Sequence, residues 1–326
     1  MKDQFGRTIN YLRISVTDKC NLRCAYCMPV EGLPWIPKVE VLSYEEITEI
    51  VRQMGGLGLR RVRLTGGEPL IRQDLPVLVR QLRSLDILED ISLSTNAVLL
   101  ADMAEDLREA GIDRINVSLD TLRRDRFGEL ARRPERFYDD TMEGIAAAEA
   151  VGFRPLKINC VVMRGFNDDE MADFAALTRE RPWHVRFIEL MPTEENLFLS
   201  DRFISADELL GRLENADDLQ PVPGPLGNGP ARYFRYPGAP GTVGVITPLS
   251  HNYCDRCNRM RLTADGRLRT CLFGTHEVDL KTPLRDHGDV VPAVRSALAE
   301  KPERHFLQLG TASGSGGLSA LSQVGG

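Results

Sequence analysis

From residue 10 to about residue 190, short runs of branched apolar residues alternate with longer stretches whose apolar positions recur every three or four residues. The short runs suit β-strands and the longer stretches suit amphipathic helices. The pattern predicts strands over residues 11–16, 61–64, 91–94, 114–119, 156–162 and 185–190, and helices over 43–54, 74–85, 101–110, 139–151 and 169–179. Ser43 followed by Glu46 has the form of a capping box, which places the start of that helix. Gly111 and Gly152 each stand where a helix ends and the chain turns toward a strand. Six strands with intervening helices imply parallel β/α units. Periodicity alone admits an open doubly wound sheet as well as a full or partial barrel.

Beyond an amphipathic stretch around 206–213 the pattern changes. Residues 221–241 hold six prolines and five glycines, too many for a regular core element. Tyr233, Phe234 and Tyr236 interrupt this stretch and need burial, so it reads as a surface crossing within a C-terminal domain rather than a loose linker. Short strands are expected over 242–246, 260–263 and 267–271, with Ala264-Asp265-Gly266 as a hairpin turn. Residues 311–326 are rich in Gly and Ser, the composition of a frayed tail. The expected division is 1–215 and 216–326.

Composition narrows the class. The 326 residues are 42% hydrophobic and 27% charged, as in an ordinary folded protein, which excludes a mainly disordered or coiled-coil chain. A net charge of -6 gives no global field for nucleic acid. Only six of the basic residues are lysine, and the arginine that supplies the rest suits clamping of carboxylate or phosphate. With no signal-like or membrane-length apolar run, a cytoplasmic location with reduced thiols and no membrane partner is expected. Seven cysteines fall into two triplets, with Cys160 apart as a core thiol. Reduced thiol triplets call for a metal.

Cys20, Cys24 and Cys27 have the spacing C-x3-C-x2-C directly after the first expected strand. Amid Asn21, Arg23 and Lys19 they fit no apolar face, and no local fourth ligand completes a structural zinc site. Three thiolates on a four-iron cubane leave one iron open for chemistry. A second motif, Thr65-Gly66-Gly67-Glu68-Pro69, ends the second expected strand; its glycines let backbone approach a ligand and Glu68 can anchor the loop. Together these motifs resemble the radical S-adenosylmethionine (SAM) enzymes. The resemblance implies that SAM chelates the open iron and is cleaved by one electron to a 5'-deoxyadenosyl radical.

Cys254, Cys257 and Cys271 form C-x2-C-x13-C, with Arg259 and Arg261 close by. Taken alone, the triplet admits zinc with His251 or His276 as fourth ligand, as well as a second open cluster. The longer pattern favours the cluster. The stretches around Arg13, Arg63, Thr95-Asn96, Ser118-Leu119-Asp120, Lys157 and Met191, with the Cys254 block and the final Gly325-Gly326, resemble the GTP 3',8-cyclase family of molybdenum cofactor biosynthesis. The implied fold is α/β: an incomplete TIM-type β/α barrel of the radical SAM type, with a C-terminal α+β region carrying a second iron-sulfur cluster against the barrel mouth.

That resemblance implies two [4Fe-4S] clusters and SAM as cofactors. It assigns SAM contacts to Tyr26, Gly67, Ser118 and Met191, and GTP contacts to Arg13, Arg63, Thr95, Lys157, Arg259, Met260 and Arg261. Arg13, Arg63 and Lys157 are expected on different strands, converging on one triphosphate at the carboxyl face. Arg61 is expected to enlarge the clamp. Gly325 and Gly326, with Arg259, would serve catalysis through a tail that reaches the site. The implied reaction abstracts H3' of GTP and joins C3' to C8, giving 3',8-cyclo-7,8-dihydroguanosine 5'-triphosphate. The implied partners are a reductant such as flavodoxin or ferredoxin, cyclic pyranopterin monophosphate synthase as recipient of the product, and a second copy in a homodimer. A peptide-maturing radical enzyme and a zinc-stabilised nucleic-acid module are the competing readings. The basic residues on separate strands argue against the first, and the acidic balance against the second.

Overall fold

A computed structural model describes residues 1–193, 199, 201–213, 216–225, 229–305, 307 and 321–323. Its centre is six parallel strands: β1 (Tyr11–Ser15), β2 (Arg61–Thr65), β3 (Asp90–Thr95), β4 (Arg114–Ser118), β5 (Leu156–Val162) and β6 (Trp183–Glu189). Helices α1 (Tyr44–Gly56), α2 (Leu75–Ser84), α3 (Ala104–Ala110), α4 (Arg124–Ala131), α5 (Arg136–Ala150) and α6 (Met171–Glu180) connect them.

After α7 (Ala206–Gly211), the later strands β7 (Gln220–Val222), β8 (Arg232–Arg235), β9 (Thr242–Ile246), β10 (Arg259–Leu262), β11 (Arg267–Arg269) and β12 (Glu277–Asp279) extend the same sheet. The order is β12-β11-β10-β1-β2-β3-β4-β5-β6-β9-β8-β7. β10 runs parallel to β1 and β9 parallel to β6, so the C-terminal part adds three strands to each side of the six, the innermost of each three being parallel to its neighbour. Helices α8 (Lys281–His287) and α9 (Val291–Ala299) follow.

The two faces of the sheet differ because side chains alternate along a strand. Leu12, Ile14, Val62, Leu64, Ile91, Leu93, Ile115, Val117, Ile158, Cys160, Val185, Phe187 and Met260 belong to one buried core with the apolar stripes of the helices. The other face carries polar and cationic side chains, and it is the face that matters for function. Among the described residues no helix is long and apolar enough to cross a membrane.

Local signals explain several boundaries. Ser43 caps α1: its hydroxyl accepts from the Glu46 N–H at 3.2 Å, and its own N–H donates to Glu46 Oε2 at 2.7 Å. Gly111 and Gly152 take φ of 111° and 78°, which a side chain disfavours. The hairpin at Ala264-Asp265-Gly266 is present, with the Thr263 N–H donating to Arg267 O at 2.9 Å.

Three features depart from expectation. Residues 221–241 contain β8 and part of β7; β7 is the outermost strand, the place in a sheet where a residue such as Pro221 is tolerated. Tyr233 and Tyr236 are buried there. Helix α4 was not anticipated: its charged sequence offers only Phe127, Leu130 and Ala131 to the interior. Helices α8 and α9 were likewise not anticipated.

Candidate active site

The first cysteine loop leaves the carboxyl end of β1 and is held by the loop after β2. The Gly67 N–H donates to Thr17 O at 2.8 Å and the Glu68 N–H to Lys19 O at 2.7 Å. A Cβ on Gly67 would lie 2.2 Å from Lys19 O, and one on Gly66 2.4 Å from Thr17 O. The glycine pair is therefore required by the backbone of the cysteine loop itself, where the sequence pointed to ligand approach. Glu68 anchors as expected, its carboxylate accepting from the Leu70 N–H at 3.1 Å, the Thr95 hydroxyl at 2.7 Å and the Asn96 N–H at 2.7 Å. Burial outweighs these donors and pushes its pKa up to about 7.

Within the loop, the N–H groups of Cys27 and Met28 both donate to Cys24 O, at 2.9 and 3.1 Å, which makes a compact turn. Burial pushes the Cys20 thiol up to about 12 and Cys24 well above the ordinary range, with Glu68 and Asp120 respectively adding to the effect. Thiolates there need positive charge close by, which iron would supply. The Tyr26 hydroxyl donates to Asp120 Oδ2 at 2.8 Å, and Met191 packs against the apolar cluster of Tyr26, Leu130, Met163, Leu190, Leu199 and Leu321. Ser118 ends β4 and Gly67 lies just beyond β2, so the four residues expected at SAM lie at or beyond carboxyl ends of strands or on the cysteine loop.

The second cysteine loop lies elsewhere than expected. Cys254 and Cys257 precede β10, whose first residue Arg259 pairs with Tyr11 at the start of β1. Cys271 follows β11, which returns antiparallel to the same end. This triplet sits at the amino ends of β1 and β10, opposite Cys20, Cys24 and Cys27, because the parallel pairing of β10 with β1 leaves no other place for it. Five residues of strand separate the two ends, about 16 Å at 3.3 Å per residue.

The Cys257 N–H donates to Cys254 O at 3.2 Å, the counterpart of the Cys24–Cys27 turn. Burial acts to raise Cys257, but Lys301 and Arg259 outweigh it and its pKa falls. His251 Nε2 hydrogen-bonds Asp207 at 2.8 Å and His276 Nε2 pairs with Glu300 at 3.0 Å. Among the described residues no group of three or more His, Cys, Asp or Glu side chains is arranged to hold a metal ion. Cubane thiolates each bind a different iron, so three soft thiols suit a cluster at either end, on one compact loop at the first and on two segments joined by β10 and β11 at the second.

Between the two loops, guanidinium groups line up across neighbouring strands. The registers Arg269–Arg261, Arg261–Arg13 and Arg13–Arg63 place four of them in a row. The same face continues through Ser92, Arg114, Asn116, Lys157, His184 and Arg186. These cations oppose one another. Arg13 is lowered well below its ordinary range by burial, then by Arg261 and Arg63. Burial and Arg259 lower Arg261 to about 10, and burial, Arg186, Arg114 and Arg63 lower Lys157 to about 6. Like charges in register are destabilising. An arrangement of this kind is suited to a multiply charged anion.

The row lies within the strands and not at their carboxyl rim. Arg13 and Arg63 are the middle residues of β1 and β2, Lys157 is second in β5, and Arg259 is first in β10. Thr95, at the end of β3, spends its hydroxyl on Glu68. Met260 faces the opposite side and is 0% exposed in the apolar core, which leaves its backbone as the part nearest the cationic face. Arg61 pairs with Glu89 at 2.5 Å. Gly325 and Gly326 lie outside the described residues. Arg114 and Arg186, which sequence reasoning passed over, hydrogen-bond Asp90 at 2.7 Å and Asn116 at 3.0 Å. Their signal was a basic residue in an expected strand: Arg186 between Val185 and Phe187, and Arg114 at the start of its strand before Ile115.

Residues 14–178 match the radical SAM superfamily and residues 183–307 match the family described as Molybdenum Cofactor Synthesis C. The GTP 3',8-cyclase of Moorella thermoacetica is 46% identical over 329 residues, covering 100% of both chains. The chain belongs to the GTP 3',8-cyclase family of the radical SAM superfamily. That of Geobacter sulfurreducens is 46% identical over 306 residues, 93% of each chain. In fold, SuiB of Streptococcus suis bound to S-adenosylmethionine superposes with a TM-score of 0.60 at 17% identity, over 87% of this chain and 65% of that one. The superposition shows the radical SAM fold, to which this family adds its β-rich C-terminal part.

Proposed function

We infer that this chain cyclises GTP by radical SAM chemistry to 3',8-cyclo-7,8-dihydroguanosine 5'-triphosphate, the first step of molybdenum cofactor biosynthesis, as its family membership entails. The observation that carries the residue assignment is the guanidinium row Arg269–Arg261–Arg13–Arg63 between two cysteine loops at opposite ends of the strands. Arg13, Arg63, Lys157, Arg259 and Arg261 hold the triphosphate, with Arg114 and Arg186 shaping its far side. Cys20, Cys24 and Cys27 hold one [4Fe-4S] cluster, and Tyr26, Gly67, Ser118 and Met191 surround SAM beside it. When bound, that cluster supplies the electron that cleaves SAM. Tyr26, fixed by Asp120, orients the ligand side of the loop. Cys254, Cys257 and Cys271 hold a second cluster at the guanine end.

In this reading the curved sheet is a partial barrel, 1–215 form the radical SAM part and 216–326 complete the substrate site. The buried walls exclude water and stray hydrogen donors from a carbon radical. Gly325 and Gly326 assist Arg259 in the rearrangement. Flavodoxin or ferredoxin as reductant, cyclic pyranopterin monophosphate synthase as recipient and a cytoplasmic homodimer accompany this function. The test is an anaerobic reaction of the reconstituted chain with SAM, reductant and GTP. Formation of both 5'-deoxyadenosine and the cyclised triphosphate is expected; 5'-deoxyadenosine without cyclised product would overturn the substrate assignment.

A further inference from the structure

Lys301, two residues beyond α9, is 2% exposed. A buried ammonium is costly unless its N–H groups find acceptors. The three N–H groups of Lys301 meet three: Cys257 Sγ at 3.6 Å, Arg259 O at 3.1 Å and Thr270 O. Cys257 is a cysteine of the second loop, Arg259 opens β10, and Thr270 precedes Cys271. One side chain thus ties together the two segments that carry Cys257 and Cys271, and no N–H is left for a phosphate.

The lysine is itself held in place. Gln4 Nε2 donates to Lys301 O at 3.4 Å. Arg7, paired with Asp3 at 2.6 Å, donates to Pro302 O and Glu303 O at 2.7 Å each and to Cys254 O at 2.8 Å. At the first loop, by contrast, Cys20 Sγ accepts from neutral donors, the Leu22 N–H at 3.4 Å and Asn96 Nδ2 at 3.9 Å.

We propose that Lys301 is a positioning residue of the second cysteine site, holding Cys257 and the Cys271 segment in register and setting a fixed positive charge that makes the iron-sulfur centre there easier to reduce. This rests on the reading that Cys254, Cys257 and Cys271 hold such a centre. Positive charge and N–H···S hydrogen bonds stabilise the more negative, reduced form.

The test uses the full chain with Cys20, Cys24 and Cys27 all replaced by Ala, reconstituted anaerobically so that only the second site loads. Iron and sulfide content report assembly, and a dithionite titration adding one electron per centre, followed by electron paramagnetic resonance, reports the potential. In this background Lys301→Met is expected to shift the reduction equilibrium at least tenfold against the reduced form, about 59 mV for a one-electron couple. Lys301→Arg, which keeps the charge, is expected to stay nearer the parent. Full loading of Lys301→Met with an unchanged potential overturns the proposal, as does an equal shift in both variants. Should Lys301→Met fail to load, recovery in Lys301→Arg supports the proposal and failure of both overturns it. A background chain with Lys301 intact that takes up no iron overturns the second-centre reading itself.

Discussion

Both cysteine loops close their C-x2-C step with a backbone turn, Cys27 N–H to Cys24 O at 2.9 Å and Cys257 N–H to Cys254 O at 3.2 Å, yet their electrostatic surroundings differ. Around the first, burial raises Cys20 and Cys24 and the carboxylates Glu68 and Asp120 add to it. Around the second the cysteines differ: burial raises Cys254, whereas Lys301 and Arg259 outweigh burial and bring Cys257 down, and Arg7 grips Cys254 O. The first loop is packed against the loop after β2, whereas the second is fastened by residues near both ends of the chain. On the proposed assignment of a cluster to each loop, the same donor spacing would serve two electronic roles. A centre among carboxylates resists accepting an electron and is a strong reductant once charged, as SAM cleavage requires, and one among cations is easier to reduce.

Replacing Cys24 by Ala separates the two loops most completely. The variant is expected to lose 5'-deoxyadenosine formation entirely while iron falls from about eight to about four per chain, two cubanes to one. Iron analysis and chromatography of the same sample check it, and iron near zero would show that the loops do not assemble independently. Gly67→Ala attacks the packing that only the first loop uses. Its Cβ would meet Lys19 O at 2.2 Å, so a loss of stability of about 1–3 kcal/mol is expected in thermal melts, with the iron deficit confined to the first site.

Between the loops, Arg63→Ala should weaken GTP binding by about 1.5–3 kcal/mol, the range for a hydrogen bond to a charged group, and leave guanosine binding nearly unchanged. Calorimetric titration with both ligands decides it, and equal losses would remove Arg63 from the phosphate site. The smallest effect is a proton. Lys157 has its pKa lowered from 10.5 to about 6 by burial and neighbouring cations, so at pH 8 it is neutral in the free protein. In the absence of ligand, its cost to folding grows as pH falls from about 10.5 to about 6, because the unfolded chain gains the proton first. A bound triphosphate favours the charged form, so binding should take up as much as one proton and weaken as pH rises from 7 to 9. Titration in buffers of different ionisation enthalpy measures the uptake, and Lys157→Met should abolish it.

Much of this could be read from short segments. The residues 156–162 and 242–246 form strands with the expected bounds, and the capping box at Ser43 and the glycines at 111 and 152 act where they stand. The two cysteine triplets were visible by spacing. Arg114 and Arg186 were not singled out, although each lies in an expected strand, because a lone basic residue in a strand says nothing of what stands opposite. Lys301 had no local signal at all: its acceptors come from residues 31 to 44 positions away.

What the sequence by itself determined was the donor chemistry and the facing of each strand. Thiols at C-x3-C-x2-C and C-x2-C-x13-C are covalent facts, and alternation along β1 puts Arg13 opposite in sense to Leu12 and Ile14 through the geometry of the backbone alone. Only the tertiary structure decided that β10 pairs with β1, across nearly 250 residues, and β9 with β6. That choice set Arg261 beside Arg13, carried the second triplet to the amino ends of the strands, and buried Lys301 against Cys257. The physical reason is range. Side-chain alternation follows from bonds within a few residues, whereas strand partners are selected by the packing of distant surfaces, whose free energy no short segment contains.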